Sequence, residues 1–187
     1  MKLYALCDQD MLDSRGISLH QYILIARKYN ATILQYRNKN GMLSFIKEQL
    51  LEIKRLFPEV QLIVNDYYKL AEYCDGVHLG QEDLSCIKST PQDSISYIRD
   101  FFVKDKLLGL STHNIQEIEI ANKLDLDYIG LGAYRATTTK QDIQNILGEK
   151  LDLLAKKSKH KVAAIGGVRM DDIFYNVEYH VIGSGLL

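Results

Sequence analysis

The sequence predicts an α/β fold of the (β/α)8 TIM-barrel type. Eight short apolar runs occur along the chain, most of them separated by one stretch with helical periodicity, and each ends in a small polar or Gly-containing cluster. This alternation is typical of parallel strands that are buried on both faces. In such a barrel the active site lies where the strands end, so the polar clusters are the candidate site. The runs comprise residues 3–7, 32–36, 62–64, 77–79, 107–110, 128–131, 162–165 and 180–182.

Helices between the runs are indicated by apolar residues that recur at steps of three and four. The clearest stripe contains Leu43, Ile46 and Leu50, which face one side of a predicted helix. Pro58 helps to end that helix. Further patterns predict helices near residues 19–26, 67–73, 94–102, 115–124 and 151–155, and a weak short helix at 170–174.

The end of the chain suggests an incomplete outer ring of helices. The chain stops at Leu187, shortly after the end of the eighth run, which leaves no room for an eighth helix. We therefore expect a C-terminally truncated barrel in which the eighth helix is missing and the first and last strands expose apolar surface. Because exposed apolar patches of that size often become interfaces, we also expect a homo-oligomer that buries this wall.

Composition favours one globular domain, residues 1–187, that binds neither nucleic acid nor membrane. The chain is long enough for a substantial core, although barrels of this type typically have about 250 residues. Its formal net charge of −1 provides no basic field for nucleic acid or anionic lipid. Cys7, Cys74 and Cys86 lack the CxxC spacing of a zinc site. With no signal-peptide or membrane-span pattern, they indicate reduced thiols in a cytoplasmic protein.

Polar residues gather where the apolar runs end, and a barrel brings these ends to one rim. The clusters are Gln35, Arg37 and Lys39 after the second run, Asn65 and Asp66 after the third, His78, Gly80, Gln81, Glu82 and Asp83 at the fourth, Ser111, Thr112 and His113 after the fifth, and Thr137, Thr138, Thr139 and Lys140 after the sixth. This joint placement favours a functional interpretation over a random scatter of surface polar residues.

Two acidic residues at neighbouring strand ends, Asp66 and Asp83, are placed to share one hard cation. Mg2+ is usually held by one or two carboxylates together with substrate phosphates and water. Arg37, Lys39 and Lys140 add positive charges that suit a diphosphate. This part of the rim is therefore predicted to bind a diphosphate together with Mg2+.

A second anion site is predicted where the last two runs end. The pair Gly166-Gly167 and the turn Gly183-Ser184-Gly185 allow backbone N–H groups to approach an anion closely. Barrels of this type often place a phosphate at this position. The rim is therefore expected to bind two phosphorylated small molecules.

Each of these residues taken alone also has an ordinary structural interpretation. Asp66 suits a helix cap, Asp83 suits a turn, and His78 suits a hydrogen-bonded place in the core. Arg37 and Lys39 taken alone would more often be solvated or ion-paired. Only the placement of all of them at one rim favours the functional interpretation.

Motifs in a fixed order show that the chain resembles thiamine phosphate synthase, also called thiamine-phosphate pyrophosphorylase, and its sister TenI group. The strongest is the segment Asp-Gly-Val-His-Leu-Gly-Gln-Glu-Asp at 75–83, and Gln-Tyr-Arg-Asn-Lys at 35–39 is similar to a second family element. The resemblance extends from Leu3 to about Ser184. The other matching segments are residues 65–66, 109–113, 127–132, 137–140 and 164–167.

The resemblance implies that hydroxymethylpyrimidine diphosphate is joined to a thiazole phosphate and that pyrophosphate is released. It implies that Asp66 and Asp83 bind Mg2+, and that Arg37, Lys140, Ser111 and His113 are the catalytic candidates. The implied substrate-binding residues are Gln35, Arg37, Lys39, Asn65, Ser111, Thr137, Thr138, Thr139, Lys140, Gly167, Gly183 and Ser184.

General chemistry agrees with this reaction. Cleavage of the C–O bond leaves negative charge on pyrophosphate and positive charge on the pyrimidine methylene. Mg2+, Lys140 and Arg37 would stabilise the leaving charge where it develops. A thiazole nitrogen fixed nearby by its phosphate then attacks an oriented electrophile, and no protein nucleophile is required.

Departures from the family pattern keep two alternatives open. Tyr36, Asn38 and Ala136 replace the usual Leu, Glu and Pro, and the last-strand element around Gly183-Ser184 matches loosely. One alternative is a TenI-like thiazole tautomerase that aromatises thiazole phosphate with His113 as acid and base. The other is a binder of phosphate ligands that has kept the scaffold without catalysis.

Overall fold

Eight parallel strands close into a barrel in which each strand pairs with the next along the chain and the last pairs with the first. The computed structural model describes residues 2–136 and 146–187. The ends of every strand lie within two residues of the ends of a predicted run, so the predicted (β/α)8 barrel is confirmed. The strands are β1 (Lys2–Asp8), β2 (Ile33–Arg37), β3 (Gln61–Asn65), β4 (Gly76–Leu79), β5 (Leu107–Thr112), β6 (Tyr128–Leu131), β7 (Lys161–Ala164) and β8 (Tyr179–Ile182).

Helices cover the outside of the barrel. A 3-10 helix, Tyr68–Tyr73, connects β3 to β4, and a second one, Ser184–Leu186, follows β8. In the part of the chain that the structure describes, no α-helix follows β8. The α-helices of the described residues are α1 (Gln9–Arg15), α2 (Leu19–Lys28), α3 (Leu43–Leu56), α4 (Gln81–Ile87), α5 (Pro91–Phe101), α6 (Ile115–Ala121) and α7 (Lys150–Ala155).

Two of these helices, α1 and α4, are additional to those that the sequence patterns predict. Both are short, with seven residues each, and both begin beside a carboxylate. Asp8 caps α1 by accepting a hydrogen bond from the Met11 backbone N–H at 3.0 Å. In α4 the Asp83 carboxylate accepts the Gly80 backbone N–H at 2.6 Å. Side-chain caps, rather than long apolar stripes, therefore define these two helices.

The short helix predicted at residues 170–174 is wrong, because this segment forms turns and irregular structure. One backbone hydrogen bond remains, from the Asp172 N–H to the Arg169 carbonyl oxygen at 3.3 Å, and the Asp172 side chain forms the shorter bonds. The Asp172 carboxylate accepts the Arg169 backbone N–H at 2.8 Å and two guanidinium N–H groups of Arg135. Five residues are too few to offset the cost of starting a helix in competition with these bonds.

The prediction that the first and last strands expose apolar surface is also wrong. Leu3 in β1 and His180 and Ile182 in β8 are each at most 3% exposed. Phe174, in the segment before β8, packs edge-on against His180 with ring centroids 5.1 Å apart. Leu186 of the last 3-10 helix is also part of the buried outer core. The exposed strand surface on which the prediction of a homo-oligomer was based is therefore absent from the described residues.

The core has two layers, one between the strands and the helices and one inside the barrel. Along β1, Leu3 and Ala5 belong to the outer layer, whereas Tyr4 and Leu6 belong to the inner layer. This alternation follows from the period of two in a strand. The strands consequently appear as continuous apolar runs because both faces are buried.

Three tyrosine rings fill much of the barrel interior. Tyr4, Tyr128 and Tyr179 pack edge-to-face, with ring centroids 6.0 to 6.4 Å apart. Gly109 on β5 makes room for this cluster, since a Cβ at that position would lie 2.2 Å from the Tyr128 ring. Aromatic packing and a glycine together close the space beneath the carboxyl ends of the strands.

Charged residues at the amino ends of the strands cap the sheet. The Asp75 carboxylate accepts the Leu62 backbone N–H at 2.7 Å, and the Asp127 carboxylate accepts the Leu108 backbone N–H at 2.8 Å. Arg99 forms an ion pair with Asp127 at 2.9 Å. Side chains at this end therefore bond to the sheet itself, and the cluster of predicted site residues lies at the other end.

The state of the cysteines and the length of the helices can be compared with the cytoplasmic setting that the sequence predicts. Cys7 and Cys74 are buried free thiols and Cys86 is an exposed free thiol. Over residues 2–136 and 146–187, no helix has both the length and the apolar character needed to cross a membrane.

We predict that Gly109→Ala strongly destabilises the barrel, because the added methyl group overlaps the Tyr128 ring. Overpacking of this kind costs about 1 to 3 kcal/mol. The free energy of unfolding from urea titration measures the effect. The exposed Asp105→Ala is the control and should change the free energy of unfolding little. Equal stability of Gly109→Ala and the wild type would contradict the proposed packing of the barrel interior.

Candidate active site

A cavity of about 980 Å3 opens at the carboxyl ends of the strands. This volume lies at the upper end of the range for small-molecule sites. The predicted site residues that line it are Gln35, Arg37, Lys39, Asn65, Asp66, Ser111, His113, Gly167, Gly183 and Ser184. Asp83 does not line the cavity but lies beside Asp66. Thr137, Thr138, Thr139 and Lys140 lie outside the described residues.

Arg37 at the end of β2 is held by Asp8 at the end of β1. The two residues are register partners in neighbouring strands, and the Arg37 guanidinium donates to the Asp8 carboxylate. Asp8 is buried and also caps α1, so its position is fixed independently of Arg37. Asp8 is not among the predicted site residues, although it lies directly after the first apolar run, as Arg37 does after the second.

Gln35 and Asn65 form a buried amide pair between β2 and β3. The Gln35 Nε2 donates to the Asn65 Oδ1 at 2.8 Å. This bond leaves the Gln35 oxygen and the Asn65 amino group for other partners. The pair therefore offers both an acceptor and a donor to a ligand in the cavity, as the edge of a heteroaromatic ring requires.

Asp66 and Asp83 place two carboxyl groups next to each other beside the cavity. Burial, followed by the charge and hydrogen bonding of Asp83, raises the pKa of Asp66 to about 7. Lys39 and Arg37 act in the opposite direction but do not cancel this rise. The backbone of Asp66 has a φ of 64°, a left-handed conformation that aspartate tolerates better than most residues.

The two carboxylates match the donors that Mg2+ prefers, since a divalent cation between them would remove their mutual repulsion. Among the described residues, no group of three or more His, Cys, Asp or Glu side chains is arranged to hold a metal ion. The pair therefore supplies at most part of a coordination sphere. Water and substrate phosphate oxygens, which Mg2+ commonly retains as ligands, would complete it.

Ser111 on β5 is connected to the barrel interior by a chain of hydrogen bonds. Its Oγ lies 2.9 Å from the Nε2 of His78, whose Nδ1 lies 3.0 Å from the hydroxyl of Tyr128. The Tyr128 and Tyr4 hydroxyls are 2.9 Å apart. Gln81 also donates to the Ser111 backbone carbonyl at 2.7 Å. Packing inside the barrel therefore determines the orientation of a residue that faces the cavity.

His78 and Gln81 are functional candidates to which the sequence predictions assign no role. Both line the cavity, and both contact Ser111, which is at least 30 positions away in the sequence. In the sequence, His78 can be recognised as the single polar residue within the apolar run 77–79. The partner was not evident, because it lies on the next strand.

His113 is oriented by Glu117 on the first turn of α6. The Glu117 Oε2 lies 2.8 Å from the His113 Nδ1 and accepts the His113 backbone N–H at 2.8 Å. The N-cap residue Asn114 accepts the Glu117 backbone N–H at 2.9 Å. His113 is half-buried and lines the cavity, with its Nε2 not engaged by Glu117. This arrangement suits proton transfer to or from a bound ligand.

Glycines form the cavity wall where β7 ends. Gly166 and Gly167 have φ values of 86° and 67°, in the region that L side chains rarely adopt. A Cβ at Gly166 would lie 2.5 Å from Ala133, and one at Gly167 would lie 2.8 Å from Arg135. The turn after β7 therefore requires both glycines. Arg135, which is not among the predicted site residues, lines the cavity beside them.

The departures from the family pattern at Tyr36 and Asn38 do not reach the cavity lining. Tyr36 is buried in the outer layer of the core, and its hydroxyl donates to Gln9 in α1 at 2.7 Å. Asn38 is buried against Gly41. Ala136, in contrast, lines the cavity.

A closed parallel barrel with a cavity that polar side chains enter at the carboxyl ends of its strands is the architecture of the (β/α)8-barrel enzymes. The sequence model of the family described as "Thiamine monophosphate synthase" matches residues 3–183. The chain belongs to this family.

Curated relatives agree with the family match. The thiamine-phosphate synthase of Persephonella marina is 35% identical over 172 residues, which cover 90% of this chain and 77% of that protein. The thiamine-phosphate synthase of Clostridium acetobutylicum is 32% identical over 190 residues, which cover 100% of this chain and 85% of that protein.

A solved structure shows the same fold. The thiamine phosphate pyrophosphorylase of Pyrococcus furiosus superposes with a TM-score of 0.76 at 24% identity, covering 98% of this chain and 85% of that one. Together with the relatives, the family match confirms the main sequence prediction, a transferase of the thiamine phosphate synthase type. The roles of individual site residues and the requirement for Mg2+ stay predictions.

The raised pKa of Asp66 predicts how pH changes stability in the absence of divalent cations. Because its pKa is about 7 in the folded chain and near 3.8 in the unfolded chain, the folded state holds more protons between these values. Protonated Asp66 therefore adds to the free energy of unfolding. This stabilisation is fully present below about pH 4, falls as the pH rises, and is lost once the pH has passed about 7.

Asp66→Asn removes this titration and keeps a residue that tolerates the left-handed backbone. We expect the variant to lie closest to the wild type at or below about pH 4 and to melt at least about 2 to 4 °C higher at about pH 8 in EDTA. The exposed Asp105→Asn is the control and should follow the wild type. A difference between Asp66→Asn and the wild type that is independent of pH would contradict the prediction.

Proposed function

We propose that the chain joins hydroxymethylpyrimidine diphosphate to thiazole phosphate and releases pyrophosphate, in a Mg2+-dependent step of thiamine biosynthesis. The observation that carries the proposal is the Asp66–Asp83 carboxylate pair, which lies beside Arg37 and Lys39 at one end of the cavity. The glycine turns after β7 and β8 line the same cavity. One cavity thus offers separate places for a diphosphate and a monophosphate.

The pyrimidine ring binds at the Gln35–Asn65 amide pair in this proposal. The Gln35 oxygen accepts from an amino group, and the Asn65 amino group donates to a ring nitrogen. Both residues line the cavity, so a ligand that pairs with both groups replaces the water that they would otherwise bind. This arrangement selects a heterocycle with both donor and acceptor atoms.

The diphosphate lies against Arg37, Lys39, Ser111 and Lys140, and Asp66 and Asp83 hold Mg2+. When bound, Mg2+ supplies positive charge that stabilises the departing pyrophosphate. Arg37 is fixed by Asp8 before substrate arrives, so its guanidinium needs little reorganisation. Ser111 is held in place by His78 and donates its hydroxyl proton towards the diphosphate oxygens.

In the reaction, the C–O bond between the pyrimidine methylene and the diphosphate breaks, and its electron pair stays on pyrophosphate. The thiazole nitrogen donates its own pair to form the new C–N bond. Gly167, Gly183 and Ser184, with Thr137, Thr138 and Thr139, bind the thiazole phosphate and thereby place the nitrogen next to the methylene carbon. Positioning of the two substrates in one cavity provides much of the acceleration.

The cellular setting that we propose is the cytoplasm, with small phosphorylated molecules as substrates and neither nucleic acid nor membrane as partner. The near-neutral net charge and the buried free thiols Cys7 and Cys74 support this setting.

We expect purified wild-type protein to form thiamine phosphate from both substrates with Mg2+, and Asp83→Asn to lower kcat/KM on the order of 100-fold. The lost charge weakens the metal site while the Gly80 cap keeps an oxygen acceptor. Product formation is measured by fluorescence after oxidation to thiochrome phosphate. Asp105→Asn, an exposed change far from the cavity lining, should retain wild-type activity. Folded wild-type protein that yields no product above background would overturn the proposal.

A second candidate activity, thiazole phosphate tautomerisation, is favoured by the His113–Glu117 pair in the cavity wall. Aromatisation of the thiazole tautomer needs only removal of a proton at one atom and return of a proton at another. His113, held by Glu117 through Nδ1, presents Nε2 for this transfer.

We expect any such turnover to persist in EDTA and to fall at least about 100-fold in His113→Asn. Glu117→Gln, which retains a hydrogen-bond partner for His113, should cause a smaller loss. Turnover is followed by the ultraviolet absorbance of the aromatic thiazole. Wild-type protein that makes thiamine phosphate but leaves the tautomer unchanged in EDTA would reject this second activity.

A further inference from the structure

Arg135, in the segment after β6, bonds to the glycine turn after β7 through both its backbone and its side chain. Its backbone N–H donates to the Gly166 carbonyl oxygen at 2.7 Å. Its Nη1 donates to the Gly167 carbonyl oxygen at 2.9 Å. Two successive peptide carbonyls of the turn therefore point towards Arg135.

The Arg135 guanidinium is itself fixed by Asp172. Nη1 and Nη2 donate to the two oxygens of the Asp172 carboxylate, each at 2.6 Å, in a bidentate pair. The Asp172 side chain is only 9% exposed and accepts the Arg169 backbone N–H at 2.8 Å. The guanidinium also lies over the Tyr134 ring, 4.2 Å from its centroid. Because of these contacts, the Arg135 guanidinium has little freedom to turn away from Gly167.

The direction of the carbonyls determines the direction of the amides. In a planar trans peptide, C=O and N–H point in opposite directions. Because the Gly166 and Gly167 carbonyls bond to Arg135, the N–H groups of Gly167 and Val168 point away from it. Both residues line the cavity, and within the described residues neither N–H donates a hydrogen bond. Successive free N–H groups in a positive-φ turn form an anion-binding nest.

We infer that Arg135 is a positioning residue that, anchored by Asp172, aims the amides of Gly167 and Val168 at the phosphate of the thiazole substrate. This inference rests on the proposed function for the identity of the substrate and extends it to a pair of residues that no family motif in the sequence selects. Arg135 does not contact the reacting atoms. It determines affinity for the monophosphate and leaves the diphosphate end of the cavity unaffected.

The test compares binding and turnover in Arg135→Ala, Arg135→Lys and Asp172→Asn. In Arg135→Ala, the KM for thiazole phosphate should rise about 10-fold or more, while kcat and the KM for the pyrimidine diphosphate change less than about 2-fold. Arg135→Lys should recover part of the affinity by donating to the Gly167 carbonyl. Asp172→Asn should give an intermediate loss. The matched control is Arg55→Ala, which breaks an exposed bidentate pair with Glu52 on α3.

Calorimetry without Mg2+ or pyrimidine diphosphate separates the phosphate contribution from general damage to the fold. Arg135→Ala should weaken thiazole phosphate about 10-fold and leave the phosphate-free thiazole alcohol unchanged. Equal weakening of both ligands, or of neither, would overturn the inference. So would the absence of any thiazole phosphate binding to the wild type.

The two proposals fail separately. Wild-type protein that forms thiamine phosphate while Arg135→Ala keeps the wild-type KM retains the proposed function and rejects the role of Arg135. Wild-type protein that forms no product, but loses phosphate-dependent binding in Arg135→Ala, rejects the proposed function and retains the role of Arg135.

Discussion

Pairing of β8 with β1 determines where the functional side chains of this protein lie. The register of this contact, with Lys2 opposite Tyr179 and Ala5 opposite Ile182, turns an open parallel sheet into a closed one. Closure leaves no free edge and brings all eight carboxyl ends to the same rim. Residues as far apart in the chain as Leu6 and Ser184 therefore line one cavity. The inner space that closure creates must then be filled, and the tyrosine cluster fills it.

The two ends of the barrel use charged side chains in opposite ways. At the amino end, Asp75 and Asp127 bond to strand backbones and to the cations beside them, so their charge is consumed in holding the sheet. At the carboxyl end, Asp66 and Asp83 are placed against each other, which destabilises the chain itself. Such an unfavourable arrangement is typical of a site whose ligand provides the missing charge.

Much of the architecture is predictable from the sequence, because a strand buried on both faces appears as a continuous apolar run. The Gly-Gln-Glu-Asp segment and the Gln-Tyr-Arg-Asn-Lys element also lead to the correct rim through family resemblance. Helices α1 and α4 are not predicted, since each depends on a capping carboxylate more than on an apolar stripe. The segment 170–174 is mispredicted because Asp172 bonds to Arg135, which is 37 positions away. Sequence periodicity carries no information about such a distant partner.

The same limit applies to the residues that support the site. Asp8 pairs with Arg37 across 29 positions, and His78 meets Ser111 across 33. Each contact joins neighbouring strands, so it becomes evident only when the register is known. The cavity-facing residues are recognisable by type, whereas the residues that orient them look like ordinary polar residues in the chain.

The fit between Gly109 and the Tyr128 ring has a consequence for the history of such a chain. A larger residue at position 109 is tolerated only if the ring at position 128 becomes smaller at the same time. Shrinking that ring removes the hydroxyl that holds His78, and with it the support for Ser111. Residues 109 and 128 are thus expected to change together in related sequences. Substitutions inside the barrel are limited by the need to keep Ser111 in place at the cavity.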